Sequence, residues 1–126
     1  MSMLILDAGA LIAIDRGDRE LAALLKGEYR AGRVPVTHGG VVGQVWRGGA
    51  RQAMLARQLR GTRVVPLSDG LGRRAGALLA RTSSRDVIDA ALVALAADDD
   101  EFLTSDPHDL ATLCEAAGIA ADIIPV

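Results

Sequence analysis

Short apolar runs alternate along the chain with longer segments in which apolar residues recur at helical spacing. The runs have the length of buried β-strands, and the segments between them predict helices. The strands are predicted at 3–6, 34–36, 63–67, 101–104 and 122–126, and the helices at 8–16, 18–32, 39–49, 50–61, 69–82, 85–98 and 107–117. Strands that alternate with helices indicate parallel pairing. We therefore expect an α/β protein: a three-layer α/β/α sandwich with a central, mostly parallel sheet of four to five strands.

Residues at the element ends support this interpretation. Asp18 precedes a helical pattern that stops at Gly32, and Thr37 is placed to cap the segment after the second strand. Asp86 is well placed to cap the helix at 85–98, which has the strongest pattern in the chain. The chain length of 126 residues, without repeats or a low-complexity linker, predicts one domain over 1–126.

The composition restricts both the kind of core that the protein can form and its expected location in the cell. Half of the residues are apolar, but Tyr29, Trp46 and Phe102 are the only aromatic ones, so the core has to be built from aliphatic side chains. No apolar stretch approaches the ~20 residues that cross a bilayer, and no signal-peptide pattern opens the chain. Cys114 is the single cysteine, which excludes an internal disulfide. We expect a cytoplasmic protein without a membrane partner.

Charge is divided unevenly along the chain. Between Tyr29 and Ser68 there are seven arginines and no acidic residue, whereas from Asp86 to Val126 there are ten acidic residues and no Lys or Arg. The division fits two solvated faces, or arginine–carboxylate pairs within the protein. It equally fits a phosphate-binding surface beside a cation-binding pocket.

Several aspartates follow or precede buried segments. Asp7 follows the first strand and Asp106 the fourth, so both should lie at the carboxyl edge of a parallel sheet. Asp86 and Asp89 stand three residues apart at the start of a helix, and Asp109 follows Asp106 by three. Each helix-associated acid alone can be explained as a cap or a first-turn residue, whereas Asp7 lies between two apolar runs without an evident structural role. Convergence of these acids predicts a site for Mg²⁺ or Mn²⁺.

Other chemistries have less support. His38 and His108 lie in predicted loops and are interpreted as surface residues, and neither has the spacing of a zinc ligand. The chain has no G-x-S-x-G elbow and no Walker phosphate loop.

Four blocks of the sequence resemble, in order and spacing, the PIN-domain toxins called VapC. The blocks are "LILDAGALIAI", "VVGQVWRGG", "DVIDAALVALA" and "FLTSDPHDL", and they span essentially the whole chain. The resemblance implies a Mg²⁺- or Mn²⁺-dependent endoribonuclease that is inhibited by a small cognate antitoxin and usually forms dimers. By matching motifs, the metal ligands would be Asp7, Asp89, Asp106 and Asp109, with Asp86 as a less certain member.

The second block departs from the family pattern. Most members carry a glutamate where this chain has Gln44, whose amide oxygen can ligate a hard cation or orient water but brings no charge. We interpret Gln44 as a variant site residue, with Arg47 and Arg51 nearby as contacts for RNA phosphates or for an acidic antitoxin. A haloacid-dehalogenase-like phosphatase would need a second aspartate where Gly9 stands, and a degenerate PIN domain that binds RNA without cleaving it is the remaining alternative.

Overall fold

The computed structural model describes residues 2–126. Within these residues, five strands form one sheet: β1 (Leu4–Leu6), β2 (Val36–His38), β3 (Arg63–Val65), β4 (Glu101–Thr104) and β5 (Asp122–Pro125). In the same part of the chain, seven helices connect them: α1 (Ala8–Asp15), α2 (Arg19–Arg30), α3 (Gly39–Val45), α4 (Ala53–Arg60), α5 (Asp69–Leu79), α6 (Val87–Leu95) and α7 (Pro107–Ala117). A 3₁₀ turn, Ala50–Gln52, precedes α4.

The sheet has the order β3-β2-β1-β4-β5, and every neighbouring pair is parallel. The chain moves from β1 outward to β3 and then crosses back to β4 and β5 on the other side of β1. Crossovers between parallel strands are right-handed, so the two directions of travel put their helices on opposite faces. The contacts agree, because α1 packs on α2, α3 and α4, whereas α5, α6 and α7 pack on one another. The predicted three-layer α/β/α sandwich is confirmed.

The core between the layers is aliphatic, as the composition predicted. Leu4, Ile5 and Leu6 of β1 are buried, as expected for a strand in the middle of the sheet. Phe102 in β4 is the largest fully buried side chain. The other two aromatic residues are exposed.

Strand β2 lies two residues later than predicted. The run of apolar residues ends at Val36, but the strand continues through Thr37 and His38 because their side chains form hydrogen bonds inside the protein. The Thr37 hydroxyl donates to the carbonyl of Leu6 at 2.8 Å, so Thr37 pairs with β1 and does not cap α3. The cap is His38, which accepts a hydrogen bond from the Gly40 amide.

Several helices are shorter than their patterns predicted. Helix α3 ends at Val45 because Trp46 has extended backbone, and α6 ends at Leu95 for the same reason at Ala96. The segment predicted to be helical from residue 50 opens with the 3₁₀ turn, and α5 ends at Leu79, not at 82. The boundaries of α7 and β4 agree with the prediction.

The predicted helix ends of α2 are confirmed. The carboxylate of Asp18 accepts a hydrogen bond from the Leu21 amide at 3.0 Å. Gly32, with φ of +81°, follows the last turn in the left-handed region that glycine tolerates. Among the described residues, no helix is both long enough and apolar enough to span a membrane.

Candidate functional site

The strand order reverses direction between β1 and β4, and the candidate site lies there. The chain leaves β1 on one side and returns to β4 on the other, and ligands of open parallel sheets bind at the carboxyl ends of strands at such a switch point. Asp7 directly follows β1, and Asp106 lies two residues after β4. The backbone amide of Asp7 donates to the carbonyl of Leu103 at 3.2 Å, which holds the two strand ends together.

Asp7 is buried, with 4% of its surface exposed. One carboxylate oxygen accepts from the Ala10 amide at 2.9 Å, and the other accepts from the hydroxyl of Thr104. Asp7 is thus the N-cap of α1. The sequence suggested that Asp7 has no structural role, and this prediction is wrong. Burial nevertheless raises the pKa of Asp7 above its ordinary value, although these hydrogen bonds oppose the rise.

Thr104 is a site residue that the sequence patterns did not single out. Its buried hydroxyl donates to Asp7 and accepts from the amide of Asp106 at 2.8 Å. One hydroxyl therefore links the acids that follow β1 and β4. A threonine at the end of an apolar strand gives no signal in a hydropathy pattern, because threonine is common in strands.

Gly9 allows the first turn of α1 to lie against the segment after β4. A Cβ atom added to Gly9 would lie 1.9 Å from Oγ of Ser105 and 2.9 Å from its backbone nitrogen. No side chain fits this space. The close approach brings the N-terminal end of α1, where Asp7 caps it, beside the loop that carries Asp106.

Helix α6 contributes two further aspartates. Asp86 is the N-cap predicted from the sequence, and its carboxylate accepts from the Asp89 amide at 3.0 Å. Burial and, after it, the nearby charges of Asp86, Asp7 and Asp106 together raise the pKa of Asp89 to about 7. Because the charges of Asp86, Asp7 and Asp106 all raise the pKa of Asp89, the structure places the four carboxyl groups close enough to repel one another.

Asp109 lies at the outer side of this group. It is exposed, in the first turn of α7, and a hydrogen bond with Asp106 and the charge of Asp106 raise its pKa. Asp106 occupies the N-cap position of α7, but its side chain makes no capping hydrogen bond. The carboxylate of Asp106 is consequently not used to cap the helix.

The chemistry of the donor set fits a hard divalent cation, since it consists of carboxylate oxygens whose mutual repulsion a cation would relieve. Within residues 2–126, no three His, Cys, Asp or Glu side chains are arranged to hold a metal ion together. Binding would therefore require at least one of the aspartate side chains to turn toward the others.

Residues of the second block lie on and after α3. Gln44 is exposed, and its side chain makes no hydrogen bond with any residue of the described part of the chain. The guanidinium of Arg47 donates to the carbonyls of Gly43 at 3.2 Å and Trp46 at 2.7 Å, so it caps the end of α3. Arg51 is exposed in the 3₁₀ turn. Within residues 2–126, none of these three side chains forms a hydrogen bond or an ion pair with the aspartates.

Gln52 fixes the loop that carries these arginines. Its buried side chain accepts from the amides of Arg47 at 2.8 Å and Gly48 at 2.9 Å, and donates to the carbonyl of Val45 at 3.0 Å. Sequence reasoning missed this role, because a glutamine in an amphipathic helical pattern is ordinarily a surface residue.

His38 is not the surface residue that the sequence suggested. It is fully buried at the end of β2, with one ring nitrogen near Gly40 and the other near Ile88. The prediction of a surface position was wrong because strand β2 extends two residues beyond the last apolar residue, Val36. His108 is exposed, as predicted.

The arginine-rich segment and the acidic segment are almost unpaired. Arg33 bonds to Glu101 at 2.7 Å and to Glu28 at 3.3 Å. Within residues 2–126, the other six arginines between Tyr29 and Ser68 form no ion pair, and all six are exposed. Internal pairing therefore does not explain the uneven charge.

A groove of about 570 Å³ lies between α2 and α4. Its lining includes Ile14, Leu25 and Met54, together with Lys26, Arg57 and Arg60. Helix α4 ends at Arg60, shortly before β3 begins, so the groove reaches the amino edge of the sheet, opposite the aspartates. The groove combines an apolar lining with positive charge that has no ion-pair partner within residues 2–126.

Comparison with known proteins gives no family assignment. No protein-family model matches the chain, and no curated protein sequence matches it.

Proposed function

We propose that this protein is a metal-dependent endoribonuclease of the PIN-domain type, and that it acts as the toxin of a toxin–antitoxin pair. The observation that carries the proposal is the group of four aspartates at the strand-order reversal, in which burial and the charges of the other three acids raise the pKa of Asp89 to about 7. A fold has little structural use for such repulsion, and perturbed acids in a crevice are typical of functional sites. The four sequence blocks that resemble those of the PIN-domain toxins support the same function.

Asp7, Asp89 and Asp106 are the proposed ligands of Mg²⁺ or Mn²⁺, with Asp86 and Asp109 at the edge of the site. A bound divalent cation would supply an activated water and neutralise charge on the phosphate. Thr104 orients the Asp7 carboxylate, and the N-terminal turn of α1 holds its other oxygen. Without the cation, the raised pKa lets Asp89 keep its proton near neutral pH, so binding of the cation would displace this proton. The role of Gln44 stays a prediction.

The test is cleavage of single-stranded RNA by purified protein with Mg²⁺ or Mn²⁺, and with EDTA. Asp7→Asn and Asp106→Asn should each lower kcat at least about a hundredfold, because loss of a metal ligand removes several kcal/mol of transition-state stabilisation. Asparagine caps helices as well as aspartate does, so Asp7→Asn should stay folded. Asp122→Asn, at an exposed acid at the start of β5, is the matched control and should cleave normally.

Two results would count against the nuclease. Cleavage that persists in EDTA, or that Asp7→Asn leaves at the wild-type rate, would remove the metal site. Wild-type protein that binds RNA but never cuts it with either metal would favour the non-cleaving alternative.

The groove between α2 and α4 supports a protein partner. Its apolar lining suits the apolar face of a helix, and Lys26, Arg57 and Arg60 suit acidic residues along the sides of that helix. The proposed occupant is an acidic amphipathic segment of a small antitoxin. A homodimer, which the sequence resemblance implies, and a cytoplasmic location, which the composition predicts, complete the proposal.

A further inference from the structure

His38 connects helix α3 to helix α6, whose first turn carries Asp86 and Asp89. It is the last residue of β2 and is fully buried. Its Nδ1 accepts a hydrogen bond from the Gly40 amide at 3.0 Å, which caps α3. Its Nε2 lies 2.9 Å from the carbonyl oxygen of Ile88, in the first turn of α6. One ring therefore connects the start of α3 to the start of α6.

The two partners determine where the ring carries its proton. A backbone amide can only donate, so Nδ1 has to be unprotonated, and a carbonyl can only accept, so Nε2 has to carry hydrogen. The ring is then neutral. Burial lowers the pKa of His38, which keeps it neutral at pH 7.

Packing at this junction is tight. A Cβ atom on Gly40 would lie 2.6 Å from Cδ1 of Ile88 and 2.8 Å from Cε1 of His38. A side chain at position 40 would require Ile88 and the imidazole of His38 to move apart. Ile88 stands directly before Asp89 and two residues after Asp86, so the carbonyl that His38 holds belongs to the turn that carries both acids.

We propose that His38 is a positioning residue for the aspartate site: through the Ile88 carbonyl it fixes the first turn of α6, and with it Asp86 and Asp89, relative to the carboxyl edge of the sheet. Its effect on catalysis rests on the proposed nuclease function. Its effect on α6 does not.

Two substitutions separate the two hydrogen bonds of the ring. His38→Asn keeps an oxygen that can accept from the Gly40 amide but is too short to reach Ile88. His38→Gln reaches Ile88 with its amide nitrogen but is a poor cap. His38→Asn should therefore lower kcat with little change in KM for RNA, and should weaken Mn²⁺ binding about tenfold, the effect typical of a residue that orients metal ligands. His38→Gln should recover most of the Mn²⁺ affinity and kcat, with a lower Tm.

Amide hydrogen exchange of Asp89 and Ala90, followed by NMR, tests the same idea without metal or RNA. Both amides donate to Asp86, so they report on the first turn of α6. Exchange should be faster in His38→Asn than in wild type or His38→Gln. Equal protection in the three proteins overturns the proposal, and so does an unchanged Mn²⁺ affinity in His38→Asn when wild type binds Mn²⁺. If wild type neither binds Mn²⁺ nor cleaves RNA, the nuclease function fails, and amide exchange alone decides the role of His38.

Discussion

Among single residues, Asp89 is the one whose protonation depends most directly on the other aspartates of the site. Burial and the charges of Asp86, Asp7 and Asp106 raise its pKa from 3.8 to about 7, so the folded protein holds this proton more tightly than the unfolded chain does. The resulting stability is complete below pH 3.8, the ordinary value, and is lost as the pH rises through about 7. Without metal, ionisation of Asp89 should therefore destabilise the protein in this interval.

Asp89→Asn mimics the protonated acid and should escape this loss. In EDTA, the Tm of Asp89→Asn should exceed that of wild type at pH 8, and the difference should shrink at pH 5. Asp122→Asn serves as the control, and its Tm should differ from that of wild type by the same amount at both pH values. Melting curves of Asp89→Asn and wild type that shift in parallel between pH 5 and pH 8 would contradict the shifted pKa.

The sequence predicted the acids of the site better than the groups that hold them. Asp7 and Asp106 could be placed at one edge because parallel strands share their carboxyl ends. The hydroxyl of Thr104 could not be predicted, because its partners are set by the register of β1 with β4, in which Leu6 lies opposite Leu103. His38 was misplaced for a related reason, since hydrogen bonds to backbone groups let a polar side chain be buried in a strand.

At the scale of elements, the contact between α1 and the segment after β4 has a steric requirement at Gly9. Alanine is the better helix former, yet its Cβ would overlap Oγ and Cβ of Ser105. Gly9→Ala should therefore destabilise the protein by about 1–3 kcal/mol, the usual cost of overpacking. Because Asp7 lies two residues away, cleavage should also fall.

Gly27→Ala is the matched control for this prediction. Gly27 lies within α2, and a Cβ there would meet nothing within 4 Å. The same substitution should stabilise the protein by about 0.5–1 kcal/mol, because alanine loses less backbone entropy on folding. Urea unfolding of the two variants measures both values. If Gly9→Ala were as stable as Gly27→Ala, the described approach of α1 to Ser105 would be wrong.

The elements themselves were largely predictable, and their ends were less so. Alternating strands and helices gave the parallel sheet, and Asp18 and Asp86 marked where α2 and α6 begin. The end of α6 depends on tertiary contacts instead. Asp100 accepts hydrogen bonds from the amides of Ala97 and Met3, which draws the chain out of the helix toward β4, although the alanines there favour a helix.

Over the whole molecule, the aspartates lie at the carboxyl edge of the sheet, whereas Arg57 and Arg60 reach the opposite edge. RNA bound at the aspartate site would need positive side chains near that site to neutralise its phosphates. The groove lies at the opposite edge of the sheet and would therefore be free to bind a protein partner. Of the two arginines predicted to contact RNA, Arg51 is the better candidate, because it is exposed, forms no ion pair within residues 2–126 and has no helix-capping role. Arg47 is less informative, since its guanidinium also caps α3.

Arg51→Gln should therefore raise KM for RNA and reduce the slope of binding against salt concentration by about one, the effect of losing one phosphate contact. The double substitution Arg57→Gln with Arg60→Gln should leave KM, kcat and the salt slope unchanged. Arg73→Gln, at an exposed arginine that pairs with Asp69, controls for the loss of a charge elsewhere. RNA binding measured from low to physiological salt separates these cases. If the double variant loses RNA binding while Arg51→Gln does not, the RNA lies across the groove, and the proposed division between an RNA edge and a partner edge is wrong.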